Sequence, residues 1–131
     1  GFYRDALGLR VAGESENYGP EQERVNNVFG ARLRITALRA ARGPGVELLE
    51  YLAPRTGRPM PVDSKANDDW YWQVNTSATV AAADVAVRHG HYSYVSPGPQ
   101  AVEGDTQLIV RDPDGHAMLL RDHSRTQGTS P

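Results

Sequence analysis

The first residue in this chain that could do chemistry is a glutamate set among aliphatics. Glu47 lies in Gly45-Val46-Glu47-Leu48-Leu49-Glu50-Tyr51. A carboxylate in such a place is costly to bury unless a metal, an arginine or a proton pairs with it. The stretch is bounded by Gly43-Pro44-Gly45 and by Ala53-Pro54, the punctuation of a strand. Alternation puts Glu47, Leu49 and Tyr51 on one face and Val46, Leu48 and Glu50 on the other, so one glutamate points each way. Turned inward, Glu47 could act as a base or a ligand. The plainer reading pairs it with a cation such as Arg34 or Arg121.

Trp70-Tyr71-Trp72-Gln73 is the second such stretch. Tyr71 and Gln73 share a face and could line a pocket with an aromatic surface and hydrogen bonds, or simply pack in a sheet. Trp70 and Trp72 then point the other way, under a helix. His89 and His91 flank Gly90 at a helix end, where the helix dipole favours them without any metal. His116 follows a turn and packs or hydrogen-bonds locally. Asp112-Pro113-Asp114-Gly115 is not a calcium loop, because Ala117 and His123 stand where that loop needs glycine and glutamate. Arg32, Arg34, Arg39 and Arg42 form either a solvated row or an anchor for an anion. No nucleophile elbow and no Gly-rich phosphate loop is present.

Composition narrows the classes. The 131 residues fit one domain. Sixteen acidic against fourteen basic residues argue against a nucleic-acid footprint, which needs clustered excess base. The chain has no cysteine, which excludes disulfides, thiolate metal sites and cysteine nucleophiles. No apolar run approaches the roughly 20 residues of a membrane span, and no signal peptide is visible. A cytoplasmic protein with no membrane partner is expected. Asn75-Thr76-Ser77 matches a glycosylation acceptor that carries no meaning in that setting.

The elements that must position these residues follow in order. Phe2, Tyr3, Ala6 and Leu7 have helical spacing, and Gly8 stops the helix. Leu9 to Val11 starts a strand, and residues 14–23, with Gly19-Pro20, read as a loop. Val25 to Gly30 reads as strand material, with a turn near Gly30. In Ala31 to Leu38, Leu33, Ile35 and Ala37 alternate with Arg32, Arg34 and Thr36, a half-buried strand on which Gly43 to Tyr51 pairs back. Residues 53–69, with three prolines and no periodicity, read as a linker. A strand from Trp70 to Asn75 precedes a helix capped by Thr79 and closed by Gly90. Strands at 92–95, 107–111 and 116–121 complete the set, the last two joined by a type I turn over Asp112–Gly115. Residues 123–131 form a polar tail. The second half reads β-α-β-β-β, and the first half, over residues 1–52, has the same order without its opening strand.

Three motifs in this order, Phe2-Tyr3-Arg4-Asp5-Ala6-Leu7-Gly8-Leu9, Val46 to Tyr51 and Val110 to His116, resemble the vicinal oxygen chelate superfamily of glyoxalases, bleomycin-resistance proteins and extradiol dioxygenases. The resemblance implies an α+β fold of two βαβββ modules, residues 1–52 and 70–122, whose curved sheets face one another around a cleft. It also implies a divalent metal held by four residues in many members. Glu47 matches one of these. Tyr71 stands where a histidine is usual, and Leu119 where a glutamate is usual. The fourth position belongs to the absent opening strand.

The expectation is therefore a protein that binds a small molecule in the cleft without the usual metal centre. Glu47 is its candidate catalytic residue, and Tyr71, Gln73, Tyr51, Leu119 and Arg34 are candidate binding residues. The alternative is a metal-dependent lyase, epimerase or dioxygenase completed by a further N-terminal strand or a partner chain. A homodimer is expected from the resemblance. The opening-strand slot should be empty or filled by another chain, and if it is empty Phe2 and Tyr3 should pack onto the first sheet.

Overall fold

The computed structural model describes residues 1–122. Its elements are a helical turn at Phe2–Ala6, β1 (Arg10–Tyr18), α1 (Pro20–Asn26), β2 (Arg32–Arg39), β3 (Val46–Ala53), β4 (Gln73–Ser77), α2 (Val80–His89), β5 (Gln100–Val102), β6 (Asp105–Arg111) and β7 (Ala117–Asp122). This is an α+β chain with a three-stranded sheet in the order β1-β2-β3 and a four-stranded sheet in the order β4-β7-β6-β5. The residues divide into two compact units. Gly8–Arg58 form one, and Gly1–Leu7 join the residues from Pro59 onward in the other. No helix of the described residues is long and apolar enough to cross a membrane.

In the Gly8–Arg58 unit, β2 pairs antiparallel with both β1 and β3. Among the described residues no strand pairs with the outer edge of β3. Two expectations fail here. The polar run from Glu14 to Tyr18 is strand rather than loop, and every residue of β1 is exposed. With both faces wet, β1 has no alternation of hydropathy to betray it. The expected strand at Val25–Gly30 is absent, because Val25 belongs to α1. That helix carries its own signals. Pro20 sits at the first position, where its missing N–H is harmless. Glu21 and Glu23 occupy the first turn, where the dipole favours acids. Asn27 ends the helix in the left-handed region at φ 52°.

The other unit holds the main core. Leu108, Val110, Met118 and Leu120 from β6 and β7 meet Val80, Ala83 and Val87 of α2. Phe2 and Ala6 complete this cluster. Phe2 and Tyr3 are thus seated with α2 in the core of the four-stranded sheet. Burying Phe2 contributes about 1.5–3 kcal/mol. Its ring meets Tyr92 edge-on, with centroids 4.9 Å apart. Gly8 follows the turn at φ 71°, the left-handed stop that its sequence position suggests.

Strand β4 runs parallel to β7, and β6 antiparallel to it. The strand expected at 92–95 reduces to a single bridge between Tyr94 and Val110. Strand β5 was not expected. It pairs with β6 through a two-residue turn at Glu103 and Gly104, both at positive φ, the geometry that matches strand twist in a hairpin. Trp70 and Trp72 do not lie under a helix: they are 57% and 51% exposed, because β4 begins only at Gln73. The expected tail, residues 123–131, lies outside the described residues.

Candidate functional site

The register of the four-stranded sheet decides which side chains share a face. Asn75 lies across from Leu119, and Leu119 across from Ile109. Gln73 pairs with Ala117, and Ala117 with Arg111. Gln107 pairs with Arg121. Alternation sends these residues to one face and Val74, Met118, Leu120, Leu108 and Val110 to the core. Ile109 is half-buried and Leu119 buried, so the centre of the face is aliphatic. Its margins are amides and arginines.

The amides are ordered by hydrogen bonds. Tyr71 donates its hydroxyl to Gln73 Oε1 at 2.8 Å, and Gln73 Nε2 donates to Asn75 Oδ1 at 3.0 Å. Arg121 donates from Nε and Nη2 to the Gln107 oxygen at 3.3 and 3.1 Å. Arg121 Nε also lies 3.7 Å from Asp105 Oδ2. Arg111 bridges the carbonyls of Gly115 and Ser64 at 2.6 and 2.9 Å and so pins residues 59–69 to the end of this sheet. Gln73 and Leu119 thus share the face, with Tyr71 just before its first strand. Asn75, Gln107, Ile109 and Arg121 are members that the sequence reading missed. For the last three the signal was present in the turn at Asp112–Gly115, which fixes the pairing of Ile109 with Leu119 and of Gln107 with Arg121.

These residues do not fit the divalent metal of the resemblance. Leu119 has no donor atom, the Tyr71 hydroxyl is engaged with Gln73, and the residue across from Leu119 is Asn75 rather than Tyr71. A divalent ion needs several nitrogen or oxygen ligands in fixed geometry. Among the described residues no group of three or more His, Cys, Asp or Glu side chains is placed to hold one.

Glu47 lies in the other unit, on β3, and is exposed. Within its unit Arg34 is not its partner, because Arg34 is engaged with Glu50. Glu47 sits across from Ala37, which lies across from Gly13, so the row beside the carboxylate carries almost no side chain. Leu49 and Tyr51 share its face, as their spacing requires. Arg34 does not: it lies across from Glu50 and donates to Glu50 Oε2 from Nε at 2.9 Å and Nη2 at 2.5 Å. Arg32 pairs with Glu16 on that same charged face. These exposed pairs contribute little to stability. A shallow depression near α1 is lined by Tyr18, Glu23, Arg32 and Ala53 among others. Its charged groups are engaged, Arg32 with Glu16 and Glu23 with the Gly30 N–H.

A further polar cluster lies where β6 turns into β7. Asp112 is buried and accepts from the backbone N–H of Asp114 and of His116 at Oδ1. Its Oδ2 accepts from the Tyr3 hydroxyl at 2.7 Å and lies 3.2 Å from His116 Nδ1. Burial, then Asp112, holds the Tyr3 phenol well above its ordinary pKa. The Trp72 ring lies against His116, tilted by 36°, with centroids 4.5 Å apart. His116 is therefore locally hydrogen-bonded, as its place after the turn suggests.

Neither a protein-family model nor a curated protein sequence matches the chain. Solved structures do. A glyoxalase family protein from Bacillus cereus aligns over 89% of this chain and 79% of its own, with a TM-score of 0.72 at 18% identity. TioX from Micromonospora sp. ML1 aligns over 94% and 85%, with a TM-score of 0.56 at 22% identity. A glyoxalase I mutant from Zea mays aligns over 94% of this chain but 39% of its own, with a TM-score of 0.54 at 14% identity. At such identities the likeness is one of architecture, and the chain has the fold of the glyoxalases, the vicinal oxygen chelate fold.

Proposed function

We propose that the chain binds a small molecule on the face of the four-stranded sheet that carries Gln73, Asn75, Leu119 and Ile109, without the family's four-ligand metal centre. The carrying observation is the composition of that face: an aliphatic centre rimmed by hydrogen-bonded amides and an arginine. Ligand sites combine these two features, an apolar wall and a few placed polar groups. Glu47, on β3 with Tyr51 on the same face, is proposed as a proton acceptor. The protein is further proposed to act as a homodimer, a reading supported by the exposed Leu48 and Leu49 of β3.

A thermal-shift screen of small molecules tests the binding. A ligand at 100 times its Kd stabilises by about 2.7 kcal/mol, and the shift should vanish in Leu119→Arg, which fills the centre of the face with charge. A screen without hits, or hits indifferent to Leu119→Arg, would count against the site. Stoichiometric Fe, Mn, Ni or Zn in purified full-length protein would overturn the metal-free reading and favour a metal-dependent lyase, epimerase or dioxygenase.

A further inference from the structure

The arginines of β2 divide between its two faces. Arg32 and Arg34 lie on one face and reach the carboxylates of Glu16 and Glu50. Arg39 lies on the other face, at the end of the strand, and the residue across from it on β1 is Arg10. Side chains directly opposed in this way stand about 4.5–5.5 Å apart at Cβ, and like charges so placed repel. Both arginines are exposed. Among the described residues neither has a hydrogen bond or an ion pair, and nor has Arg42 in the loop that leads from Arg39 to β3. Arg39 bends away from Arg10 and over the start of β3, where a Cβ at Gly45 would come within 3.0 Å of its Cδ and Nε.

The sequence brings no acid to this end of the sheet. Residues 6–13 and 24–46 contain no aspartate or glutamate. The chain's net charge is −2, so the positive end is a local feature and not a property of the whole surface. The nearest row on the same face is Gly13, Ala37 and Glu47. Glu47 stands diagonal to Arg39, at about 7–8 Å, and makes no ion pair with it. Gly13 is exposed and Ala37 half-buried, so beside the two arginines the sheet offers a floor almost without side chains, one two-residue step of about 6.6 Å along the strand.

We propose that Arg10 and Arg39 form an oxyanion site, which holds the phosphate or carboxylate of a small molecule whose body lies on the Gly13–Ala37 row. A guanidinium is a planar fork of donors matched to such groups. An oxyanion between the two arginines replaces their repulsion with charge-assisted hydrogen bonds. The site belongs to the Gly8–Arg58 unit and does not rest on the binding face of the four-stranded sheet.

The test titrates phenyl phosphate, benzoate and benzylammonium into the ¹⁵N-labelled chain and follows the backbone amides and the arginine Nε–H signals. Phenyl phosphate or benzoate should move Arg10, Gly13, Ala37 and Arg39, and the tighter of the two identifies the oxyanion as a phosphate ester or a carboxylic acid. Benzylammonium should bind at least ten-fold more weakly. Arg10→Gln and Arg39→Gln should each weaken the tighter anion at least five-fold, and the backbone spectrum reports whether the variant is folded. Arg34→Gln removes the same charge from the opposite face of β2 and should cost less than two-fold. A loss under five-fold at Arg10 and Arg39, an equal loss at Arg34, or equal binding of benzylammonium would overturn the site. So would the absence of any movement at these four residues at millimolar probe concentration.

Discussion

The Tyr3 hydroxyl meets Asp112 Oδ2 at 2.7 Å across 109 positions of sequence. This bond ties the first helical turn to the β6–β7 turn, and the buried carboxylate it reaches also organises the backbone of Asp114 and His116. Tyr3→Phe removes one donor to this carboxylate and should destabilise by about 1.5 kcal/mol, the low end for a bond to a charged group. The pH dependence has a definite sign. The folded phenol is raised above its unfolded value, so its contribution is complete below about pH 10 and fades as pH climbs beyond that. Denaturant melts at pH 7 and pH 11 should show the gap between wild type and Tyr3→Phe closing at the higher pH.

Gly90→Ala should destabilise by about 1–3 kcal/mol through overpacking. A Cβ at Gly90 would lie 2.2 Å from the Tyr92 ring, and that ring is the edge-on partner of Phe2. Near-UV circular dichroism should weaken along with the urea midpoint. Pairing the change with Tyr92→Ala should show strong non-additivity, since the clash then has no ring to meet.

Asp84 gives the opposite pH response. Arg88 donates to its Oδ2 from Nε and Nη2, and Tyr94 donates to Oδ1. These bonds, the Arg88 ones first, hold its pKa below the ordinary carboxylate value. The stabilisation is therefore full above the unfolded pKa near 4 and is lost as pH falls toward the folded one. Asp84→Asn should lower the melting temperature at pH 7 and lower it less at pH 3. An equal loss at both values would sink this assignment.

The dimer proposal has a mass to answer to. Light scattering at micromolar concentration should give two chains, and a value near 14.3 kDa would count against it. Leu49→Lys places a charge on an exposed side chain, 45% accessible in one chain. It should shift the equilibrium toward monomer while leaving the far-UV spectrum unchanged.

Hydropathy patterns revealed elements here wherever one side of an element was dry. Ala31 to Leu38 alternates because Leu33 is buried and Arg32 and Arg34 are solvated, and β2 was legible for that reason. Helix α2 was legible from Thr79 and Gly90 at its ends. Strand β1 was not, since neither of its faces is dry. Helix α1 was mistaken for loop and strand although Pro20, Glu21 and Glu23 stand where a first turn favours them; this short helix buries none of its residues, and so leaves no apolar stripe. For the candidate site, the spacing of Tyr71 and Gln73 gave the face. It did not give the inter-strand register, and register is what substitutes Asn75 for Tyr71 as the neighbour of Leu119. The helical character of Phe2–Ala6 was readable, but not its destination, because apolar spacing names a buried face without naming the core that receives it.

That destination affects the order in which the protein can assemble. Phe2 and Ala6 close a cluster whose other members include Met118 and Leu120. During synthesis the first helical turn emerges early, yet its seat does not exist until β7 has been made. Meanwhile the hairpins of β1, β2 and β3 need only local pairing. Contacts of such long sequence separation form slowly, and an apolar segment waiting for them is open to wrong partners. The three-stranded sheet should therefore form first, the four-stranded sheet and α2 next, and residues 1–7 should dock last.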